Sequence, residues 1–508
     1  MKKQAQTSSD IKPGQICGFF DHEVFRLGLI ISHNDSSCQV ESLSDDVLQL
    51  PVNRFVLLSE TIYPIENPTQ NLTDFQQQID ACSQQINLDE IRQILLQKDV
   101  QATLTEALQL SDFPVTAACR FALFLLLRKN PSQFRFKQGL CRALSETEQQ
   151  EYILAEEQKA LHKRDMETCP QLAEKGLPVL FSDALLAAAE EIPAYELVPD
   201  RMDLTELDCW TIDAASSHDL DDAISLTPLD EGWELGIHIS DVSVFVAQDS
   251  DLDKEALRRS TSAYLPDLDV HMLPQSLSCQ KASLLAGAIR PVLSIVCKIN
   301  PAWEIASYLI FPAAIKVSRN LSYDEVDAFL TEPVAPFNPE MQSMIFVLKA
   351  ITDKHLQKRI EQGARVWDEQ EKSPSRRIVA ECMVIYNRIL ADLVAEQEAP
   401  LFYRYSESVL NQPTDDKDRD FIPPSTLGTE PRPHTTMGLK VYAQMTSPLR
   451  RYSDLVNQRQ SLAVLYGDEL PYTKDQLEKM LDHLIQTRLR IRQLTLLVEK
   501  SVERNQII

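Results

Sequence analysis

The sequence predicts an α+β, multidomain protein in which two small N-terminal modules precede one large mixed α/β domain. Three observations indicate this class: the length, a change from β-rich to helical patterning near the N-terminus, and a long C-terminal region that contains both patterns. A chain of 508 residues is too long for one compact core. We therefore predict domains at residues 1–65, 69–165 and 201–508, with a linker at 166–200.

Residues 1–65 are predicted to form a small β-barrel of the SH3-like or OB-like kind. Short β-rich segments such as Leu27–Ile31 and Phe55–Leu58 alternate with turn segments such as Asn34–Ser37. Barrels of this size bind nucleic acid in some proteins and serve as spacers or protein-contact modules in others. The predicted barrel therefore does not assign a role by itself.

Residues 69–165 are predicted to form a helical, winged-helix-like module. Apolar residues recur at helical spacing in four segments, at 75–86, 88–96, 104–110 and 115–127, and Asn87 is a plausible cap. A strand-turn piece, Phe134–Gly139, follows with basic and aromatic residues interleaved. A plain helical packing domain remains an alternative interpretation. Ser145–Arg164 then predicts a charged, exposed helix.

The region from 201 to 508 predicts one large domain of strands followed by long helices. Trp233–Val242 alternates apolar and polar residues as a strand does. Helical spacing dominates later, at residues 338–361, 377–396, 453–466 and 474–503. No internal repeat or low-complexity tract interrupts this region.

Composition bounds the location and the partners. Hydrophobic residues make up 44% and charged residues 25% of the chain, as in a soluble globular protein. No apolar run is long enough for a membrane span, and no secretory signal precedes the β-rich region. The ten cysteines contain no Cys-x-x-Cys pair, so we expect reduced thiols. We expect a cytoplasmic protein with no membrane partner, acting as a monomer.

The net charge restricts how nucleic acid could bind. The formal charge is −25, whereas proteins held to nucleic acid mainly through phosphate contacts are usually basic. A nucleic-acid site in this chain must therefore be a local basic groove in an acidic protein.

The most informative stretch is an acidic loop between two predicted strands, Trp210–Ile212 and Ala223–Leu226. Its four carboxylates lie within ten residues, at intervals of six, two and one: Asp213, Asp219, Asp221 and Asp222. Carboxylates held this close repel each other, and raised pKa values or a bound hard cation relieve the repulsion. A solvated turn is an equally good interpretation of the loop alone. If a cation binds, we expect magnesium.

A second stretch, Thr446–Asp454, combines cap and cationic residues. We predict that Ser447 caps a long helix, which places Arg450 and Arg451 in the first turn. Cations there oppose the helix dipole, so an anionic partner is expected, either a phosphate or the acidic loop. Asp454, four residues beyond Arg450, is predicted to orient its guanidinium. An ordinary surface ion pair is the alternative.

Together these stretches make the region from about Asp203 to Glu503 resemble the ribonuclease II (RNB) family of processive 3′-to-5′ exoribonucleases. The acidic loop matches the family's four-aspartate signature at every interval, and Thr446–Asp454 matches its arginine block. Further matching motifs lie between them in family order: 253–256, 264–266, 271–274, 277–278 and 290–293. The resemblance covers about 300 of the 508 residues.

The resemblance implies a function and a set of site residues. It implies hydrolysis of single-stranded RNA to nucleoside 5′-monophosphates, with Mg²⁺, or Mn²⁺ as a possible substitute, held by the four aspartates. Arg450 is then the catalytic arginine that binds the scissile phosphate, and Asp221 is the carboxylate that the family can least lose. The other implied RNA-binding residues are Tyr264, Tyr323, Trp367, Glu381, Arg451 and Glu499. The aromatic residues among them would stack on or clamp the 3′-terminal nucleotides, although core packing is an alternative for each.

Two features depart from the family pattern. Relatives usually carry a basic C-terminal oligonucleotide-binding barrel, which we expect to be missing if Ile508 is the native chain end, and Gln458 occupies a position that is often histidine. A catalytically impaired RNA-binding or regulatory protein is therefore the main alternative function. A phosphatase-type nucleophile at Asp219-Leu220-Asp221 is a weaker one, because it leaves the arginine block unexplained.

Overall fold

The structure is a computed structural model that describes residues 11–506, except 23, 35, 45, 266–267, 332–338, 366–372 and 407–424. Contacts divide the chain into two compact units, Met1–Ala160 and Leu161–Ile508. The mixed α/β, multidomain class predicted from the sequence is confirmed. The finer domain boundaries predicted above remain a prediction.

The first unit begins with a five-stranded antiparallel sheet. The strands are β1 (Gln15–Asp21), β2 (Val24–His33), β3 (Ser37–Ser42), β4 (Val47–Pro51) and β5 (Phe55–Ile62), in the order β4-β3-β2-β1-β5. Alternate residues face two cores: Ile16 and Leu29 join the helices, whereas Cys17 and Phe19 join a cluster within the sheet. Within the described residues β4 and β5 are not paired, so barrel closure remains a prediction.

Helices and a small sheet complete the first unit. They are α1 (Pro68–Gln85), α2 (Leu88–Lys98), β6 (Ala102–Thr103), α3 (Leu104–Leu110), α4 (Ala117–Lys129), β7 (Phe134–Lys137), β8 (Leu140–Ala143) and α5 (Glu146–Thr168), which contains the unit boundary. Asn87 caps α2 by accepting the N–H of Glu90 at 3.3 Å, as the sequence predicted. The three-stranded sheet has the order β6-β8-β7, and Phe121 packs edge-on to Phe75 in the common core.

A seven-stranded sheet forms the centre of the second unit, in the order β17-β10-β11-β12-β15-β16-β9. The strands are β9 (Met202–Leu204), β10 (Cys209–Asp213), β11 (Asp222–Pro228), β12 (Trp233–Ser240), β15 (Ile289–Ile299), β16 (Ile305–Lys316) and β17 (Arg319–Ser322). Between β12 and β15 lie α8 (Asp251–Arg259) and the hairpin β13 (Ala263–Leu265) and β14 (Leu268–Val270). Pairs β10–β17 and β16–β9 are parallel and the other neighbours are antiparallel.

The remaining elements of this unit are mainly helical. They are α6 (Pro170–Ala173), α7 (Asp183–Glu191), α9 (Tyr323–Thr331), α10 (Pro339–Glu361), α11 (Pro374–Glu396), β18 (Tyr403–Tyr405), β19 (Thr426–Gly428), α12 (Tyr452–Tyr466) and α13 (Lys474–Gln506). Residues 166–200, predicted as a linker, contain α6 and α7, and Ala189 of α7 is fully buried.

The two faces of the central sheet are covered differently. Residues such as Trp210 and Ile237 pack with α9, α10 and α11 into the largest core. Their neighbours Cys209 and Ala223 face the opposite side and join a smaller core with Val292. Because both faces are buried, the ends of the strands are where polar side chains can collect without loss of packing.

Two sequence expectations about composition can be compared with the described residues. All ten cysteines are free, and eight of them are buried. None of the described helices is both long and apolar enough to cross a bilayer.

Asp253, near the start of α8, forms a buried ion pair whose contribution to stability can be tested. Its Oδ1 lies 2.8 Å from Nη1 of Arg459 on α12, and both side chains are at most 5% exposed. Asp253→Asn leaves the buried guanidinium without its counter-charge, so we expect a loss of about 3–5 kcal/mol in the free energy of unfolding. Urea unfolding monitored by circular dichroism measures this loss.

Asp251→Asn is the matched control on the same helix. Asp251 pairs with Lys254 at 3.4 Å, but its side chain is 87% exposed. We expect little change in its unfolding midpoint. Equal midpoints for the two variants would contradict a stabilising role for the Asp253–Arg459 pair.

Candidate active site

The acidic loop is positioned by one edge of the central sheet. Strand β10 ends at Asp213 and β11 begins at Asp222, as predicted, and the two strands pair through Trp210 and Ile224. Asp213 also lies beside Ser322 in the parallel β10–β17 pair. The sheet therefore brings Asp213, Asp222 and Tyr323, the residue after Ser322, to the same edge.

Asp221 is fixed by hydrogen bonds to both of its carboxylate oxygens. It is 3% exposed, and its Oδ1 accepts the backbone N–H of Leu449 at 2.9 Å. Its Oδ2 accepts Nε–H of Arg450 at 3.1 Å. Burial raises its pKa to about 7, although the charge of Arg450 opposes the shift. Asp221 is therefore fixed in direct contact with the predicted catalytic arginine.

The backbone of Asp221 is also held in place, by a residue pair outside the predicted site. The N–H of Ser240 donates to the Asp221 carbonyl at 2.9 Å, and Gln458 Nε2 donates to the Ser240 carbonyl at 2.8 Å. The Gln458 Oε1 accepts the N–H of Val242 at 3.2 Å, so the fully buried amide uses both ends. Glutamine at this position therefore supports the acidic loop without needing a histidine.

Asp213 and Asp222 form a second, repelling pair. The Asp213 Oδ2 is buried and lacks a hydrogen-bond partner among the described residues. Burial raises the Asp213 pKa to about 6. Burial also raises the pKa of Asp222 well above its ordinary range, and the charges of Asp213 and Asp221 add to that rise. A buried carboxylate oxygen without a donor and a like-charged neighbour are features that a cation would satisfy.

Asp219 is joined to one of the predicted aromatic residues. The Tyr264 hydroxyl donates to Asp219 Oδ2, while the Tyr264 side chain remains 40% exposed. Burial of the hydroxyl and the charge of Asp219 raise the Tyr264 pKa. The structure therefore brings this ring to the acidic loop with part of the side chain exposed to solvent.

The arginine block differs from the prediction. Ser447 does not cap a helix: its carbonyl accepts the N–H groups of Arg450 and Arg451 in a turn, and α12 begins at Tyr452. Arg451 is extended and forms a β-bridge with Thr261. The bridge prevents helical geometry at Arg451, which is why the local capping signal did not decide the start of the helix.

The partner of Asp454 was also predicted wrongly. Asp454 Oδ2 accepts Nε–H and Nη2–H of Arg451 at 3.0 and 2.6 Å, and it accepts the N–H of Ser447 at 3.1 Å. It therefore holds Arg451 and closes the turn, while Arg450 is left to bind Asp221. Direct contact of Arg451 with RNA would require this ion pair to open.

The arginine turn and the strand that carries Tyr264 are joined. The carbonyl of Arg450 accepts Thr261 Oγ1–H at 2.8 Å and the N–H of Ser262 at 2.9 Å. Tyr264 follows two residues later on β13. A shift of the arginine turn would therefore move the aromatic ring as well.

Tyr323 directly follows β17, the strand whose last residue, Ser322, lies beside Asp213. The guanidinium carbon of Arg376 is 4.3 Å from the centre of its ring, and the Tyr323 carbonyl accepts Ser375 Oγ–H at 3.1 Å. Burial, followed by the charges of Asp213 and Asp222, raises its pKa to about 12. Sequence reasoning missed Arg376, whose signal was an unremarkable Arg-Arg pair near the start of a predicted helix.

Glu381 is the one residue among the other three predicted site residues whose side chain the structure describes. Glu381 is 6% exposed and pairs with Arg359 and with His355 Nδ1 at 2.8 Å. Trp367 lies outside the described residues. Glu499 lies within α13, but its side chain is also outside what the structure describes. RNA-binding roles for these three residues remain predictions.

The complete metal site also remains a prediction. Within the described part of the chain, no three Asp, Glu, His or Cys side chains are arranged to hold one ion together. Asp221 is occupied by Arg450 and Leu449, and Asp219 by Tyr264. The features that fit a cation are the unpartnered oxygen of Asp213 and its repulsion with Asp222.

Comparisons with known proteins identify a family for this chain. A family model described as the RNB domain matches residues 201–422 and 406–467, which together exceed half of the chain. A Synechocystis protein named as an uncharacterized ribonuclease is 32% identical over 312 residues, covering 56% of this chain and 46% of the relative. Further relatives are named ribonuclease R and exoribonuclease 2. The chain spans about half the length of these curated relatives.

Solved structures show the same fold. Mycoplasma genitalium RNase R in complex with ribose methylated single-stranded RNA has a TM-score of 0.58 and 21% identity, with 66% of this chain and 63% of that chain covered. Yeast Ssd1, described as a pseudonuclease, has a TM-score of 0.52 and 18% identity, with 60% and 46% covered. At these identities the likeness concerns the fold alone.

The Asp213 carboxyl predicts a pH dependence of stability in metal-free protein. Its pKa is about 6 in the folded state against an ordinary value of 3.8. The folded state therefore binds this proton more tightly, and the resulting stability is lost as the pH rises through about 6. At pH 8, Asp213→Asn should be up to about 3 kcal/mol more stable than wild type. The difference should vanish near pH 4.

Thermal unfolding in EDTA at several pH values measures this effect. Asp230→Asn, in the exposed turn between β11 and β12, is the control and should follow the wild-type curve. If Asp213→Asn also ran parallel to wild type from pH 4 to pH 8, the inferred strain at Asp213 would be absent.

Proposed function

The chain belongs to the RNB-domain family, and on that premise we propose that it is a magnesium-dependent, hydrolytic 3′-to-5′ exoribonuclease. Its substrate is single-stranded RNA and its products are nucleoside 5′-monophosphates. The observation that carries the proposal is the contact of Arg450 with buried Asp221 beside three further aspartates. We propose that the protein acts as a monomer.

Arg450 supplies the charge that receives the scissile phosphate. Its Nε donates to Asp221 and its Nη2 donates to Ser447 Oγ at 2.9 Å, which fixes the plane of the guanidinium. The side chain is 42% exposed, so part of this plane faces solvent. A fixed cation at this position stabilises the negative charge that develops on a phosphate under attack. The fixed plane also favours a bidentate contact with two phosphate oxygens.

The aspartates are proposed to hold Mg²⁺, with Mn²⁺ as a possible substitute. Asp213 and Asp222 carry the uncompensated charge, and Asp219 and Asp221 complete the set. When bound, a divalent ion of this kind activates a water and stabilises the leaving oxygen. The carboxylates of this chain contribute the hard oxygen ligands that magnesium prefers.

The tyrosines are proposed to bind the 3′-terminal nucleotides. Tyr264 contacts the acidic loop through Asp219, and Tyr323 follows Ser322, which lies beside Asp213. Stacking of bases on aromatic rings tolerates any sequence, as degradation requires. Trp367 is proposed as a third ring, and Glu381, Arg451 and Glu499 as polar contacts around it. Groups that recognise ribose hydroxyls would give a preference for RNA over DNA.

An RNA-binding protein without turnover is the second candidate. The shared fold of yeast Ssd1, which is described as a pseudonuclease, favours keeping it. Retained aspartates and the Asp221–Arg450 contact favour catalysis instead. Binding assays run beside the cleavage assay separate the two, because only the second candidate predicts RNA binding by wild type without shortening.

Cleavage should depend on the form of the cation at position 450. Arg450→Lys keeps the charge but loses the fixed plane, so we expect kcat to fall about 10²-fold to 10³-fold while RNA affinity changes little. A time course with 5′-labelled single-stranded RNA and Mg²⁺ measures this, and shortening from the 3′ end should give a descending ladder. Arg432→Lys, whose guanidinium lies over Tyr405 instead, should retain wild-type activity.

Asp221→Asn completes that assay. The substitution removes the counter-charge of Arg450 and one proposed ligand, so activity should fall at least about 10³-fold. Wild-type protein that shortens RNA no faster than Asp221→Asn would rule out the exoribonuclease.

We expect the activity to depend on Mg²⁺ held by Asp213 and Asp222. EDTA should abolish shortening, and added Mg²⁺ should restore it. Asp222→Asn should raise the Mg²⁺ concentration for half-maximal activity by at least about tenfold, because one hard ligand is lost. Asp230→Asn should leave that concentration unchanged. Full activity of wild type in EDTA would exclude the proposed magnesium chemistry.

A further inference from the structure

A polar cavity lies at the end of the central sheet that is opposite the acidic loop. It has a volume of about 240 Å³ and lies between the β15–β16 turn, α10 and α11. Its wall includes Trp303, Lys354, Lys358, Arg359, Ile385 and Arg388. None of these residues belongs to the acidic loop or to the arginine block.

Strand register separates this cavity from the candidate active site. Ser240, which binds Asp221, pairs with Val292 near the start of β15. The cavity adjoins the other end of that strand, beyond Ile299. Seven residues of extended chain separate Val292 from Ile299, which corresponds to about 23 Å.

The cavity is locally positive in an acidic protein. Four of its side chains are Lys354, Lys358, Arg359 and Arg388. Three carboxylates oppose them. Glu304 pairs with Lys358 at 2.9 Å and Glu381 pairs with Arg359. The third is Asp392, whose carboxylate interacts with the charge of Arg388. The surplus of positive charge favours an anion.

His355 does not add to this surplus at neutral pH. Burial lowers its pKa, and the charges of Arg388 and Arg359 lower it further, although Glu381 opposes the shift. The positive charge of the cavity therefore comes from its lysines and arginines.

Arg388 is the cation whose hydrogen bonds are incomplete. Its Nε is buried and has no acceptor among the described residues. Asp392 lies one turn further along α11, where burial raises its pKa and the charge of Arg388 opposes that rise. Within the described structure the two side chains are not hydrogen-bonded. A buried guanidinium N–H without an acceptor is costly, and an anion in the adjoining cavity would satisfy it.

Trp303 adds an aromatic wall. Its backbone has φ +63°, a left-handed conformation that residues other than glycine adopt only at an energetic cost. The backbone N–H of Trp303 donates to the Asn300 carbonyl at 2.9 Å, so the turn fixes the backbone that carries the indole. An indole beside guanidinium and ammonium groups matches a ligand with a planar ring and a phosphate.

We propose that this cavity binds a nucleoside 5′-monophosphate, with the phosphate at Arg388 and Lys354 and the base against Trp303. The cavity of about 240 Å³ is smaller than the usual range of about 300–1,000 Å³ for drug-sized ligands, so the ligand would be no larger than one nucleotide. That this ligand is also the product of the enzyme rests on the proposed function. Recognition of the nucleotide itself rests on the cavity alone.

The test uses the full chain carrying Arg450→Ala, in EDTA, so that the candidate active site does not retain the ligand. Equilibrium dialysis with labelled adenosine 5′-monophosphate should give one equivalent bound. Adding Arg388→Gln should weaken this binding at least about tenfold. Lys298→Gln, an exposed cation on β15 outside the cavity, should leave it unchanged. Arg388→Lys, which keeps the charge, should retain part of the affinity, and thermal unfolding checks that each variant is folded.

Two further ligands and one variant test the division of roles. Trp303→Leu should weaken adenosine monophosphate at least about tenfold but leave inorganic phosphate unaffected. Adenosine without phosphate should bind at least about tenfold more weakly than the monophosphate. Equal affinity for phosphate and nucleotide, or unchanged binding in folded Arg388→Gln, would overturn the proposal. So would the absence of binding.

These outcomes are distinct from failure of the proposed function. Wild type that shortens RNA but whose Arg450→Ala variant binds no nucleotide refutes the second site alone. A protein that binds the nucleotide through Arg388 but leaves RNA intact refutes the exoribonuclease and keeps the site.

Discussion

The contact between Asp221 and Arg450 is the interaction on which the candidate site depends. It joins residues 229 positions apart in the sequence, and the carboxylate is buried. A buried charge is tolerated only when it is paired and hydrogen-bonded, so Leu449 and Ser240 must also be in place. One ion pair thus fixes the acidic loop, the arginine turn and, through Thr261, the strand that carries Tyr264.

Parts of this arrangement could be predicted because they are local. Two short apolar segments predicted the strands on both sides of the acidic loop, and Asp213 and Asp222 lie at the ends of those strands. The prediction at Ser447 failed because a capping residue states only a local preference. The bridge between Thr261 and Arg451 overrides it, and those residues are 190 positions apart.

The roles of three further residues could not be predicted from the sequence, because they too depend on contacts between distant parts of the chain. Gln458, Arg376 and Arg388 carry no distinctive spacing, and their roles arise from contacts across elements. Glu381 could be singled out only by resemblance, and its described partners, His355 and Arg359, come from α10. Periodicity predicts which face of a helix is buried but not which charged groups of two helices meet there.

The charge of the loop would make the proposed ion binding and the proposed RNA binding interdependent. Burial raises the pKa values of Asp213 and Asp222, and the charges of neighbouring aspartates add to both rises. A phosphate brought to Arg450 adds negative charge at the same edge, where the only direct compensation among these residues is an arginine already paired with Asp221. A cation between the carboxylates would remove both repulsions, so each ligand should strengthen the other. In a chain of net charge −25, this coupling explains how RNA could be held by a site made largely of acids.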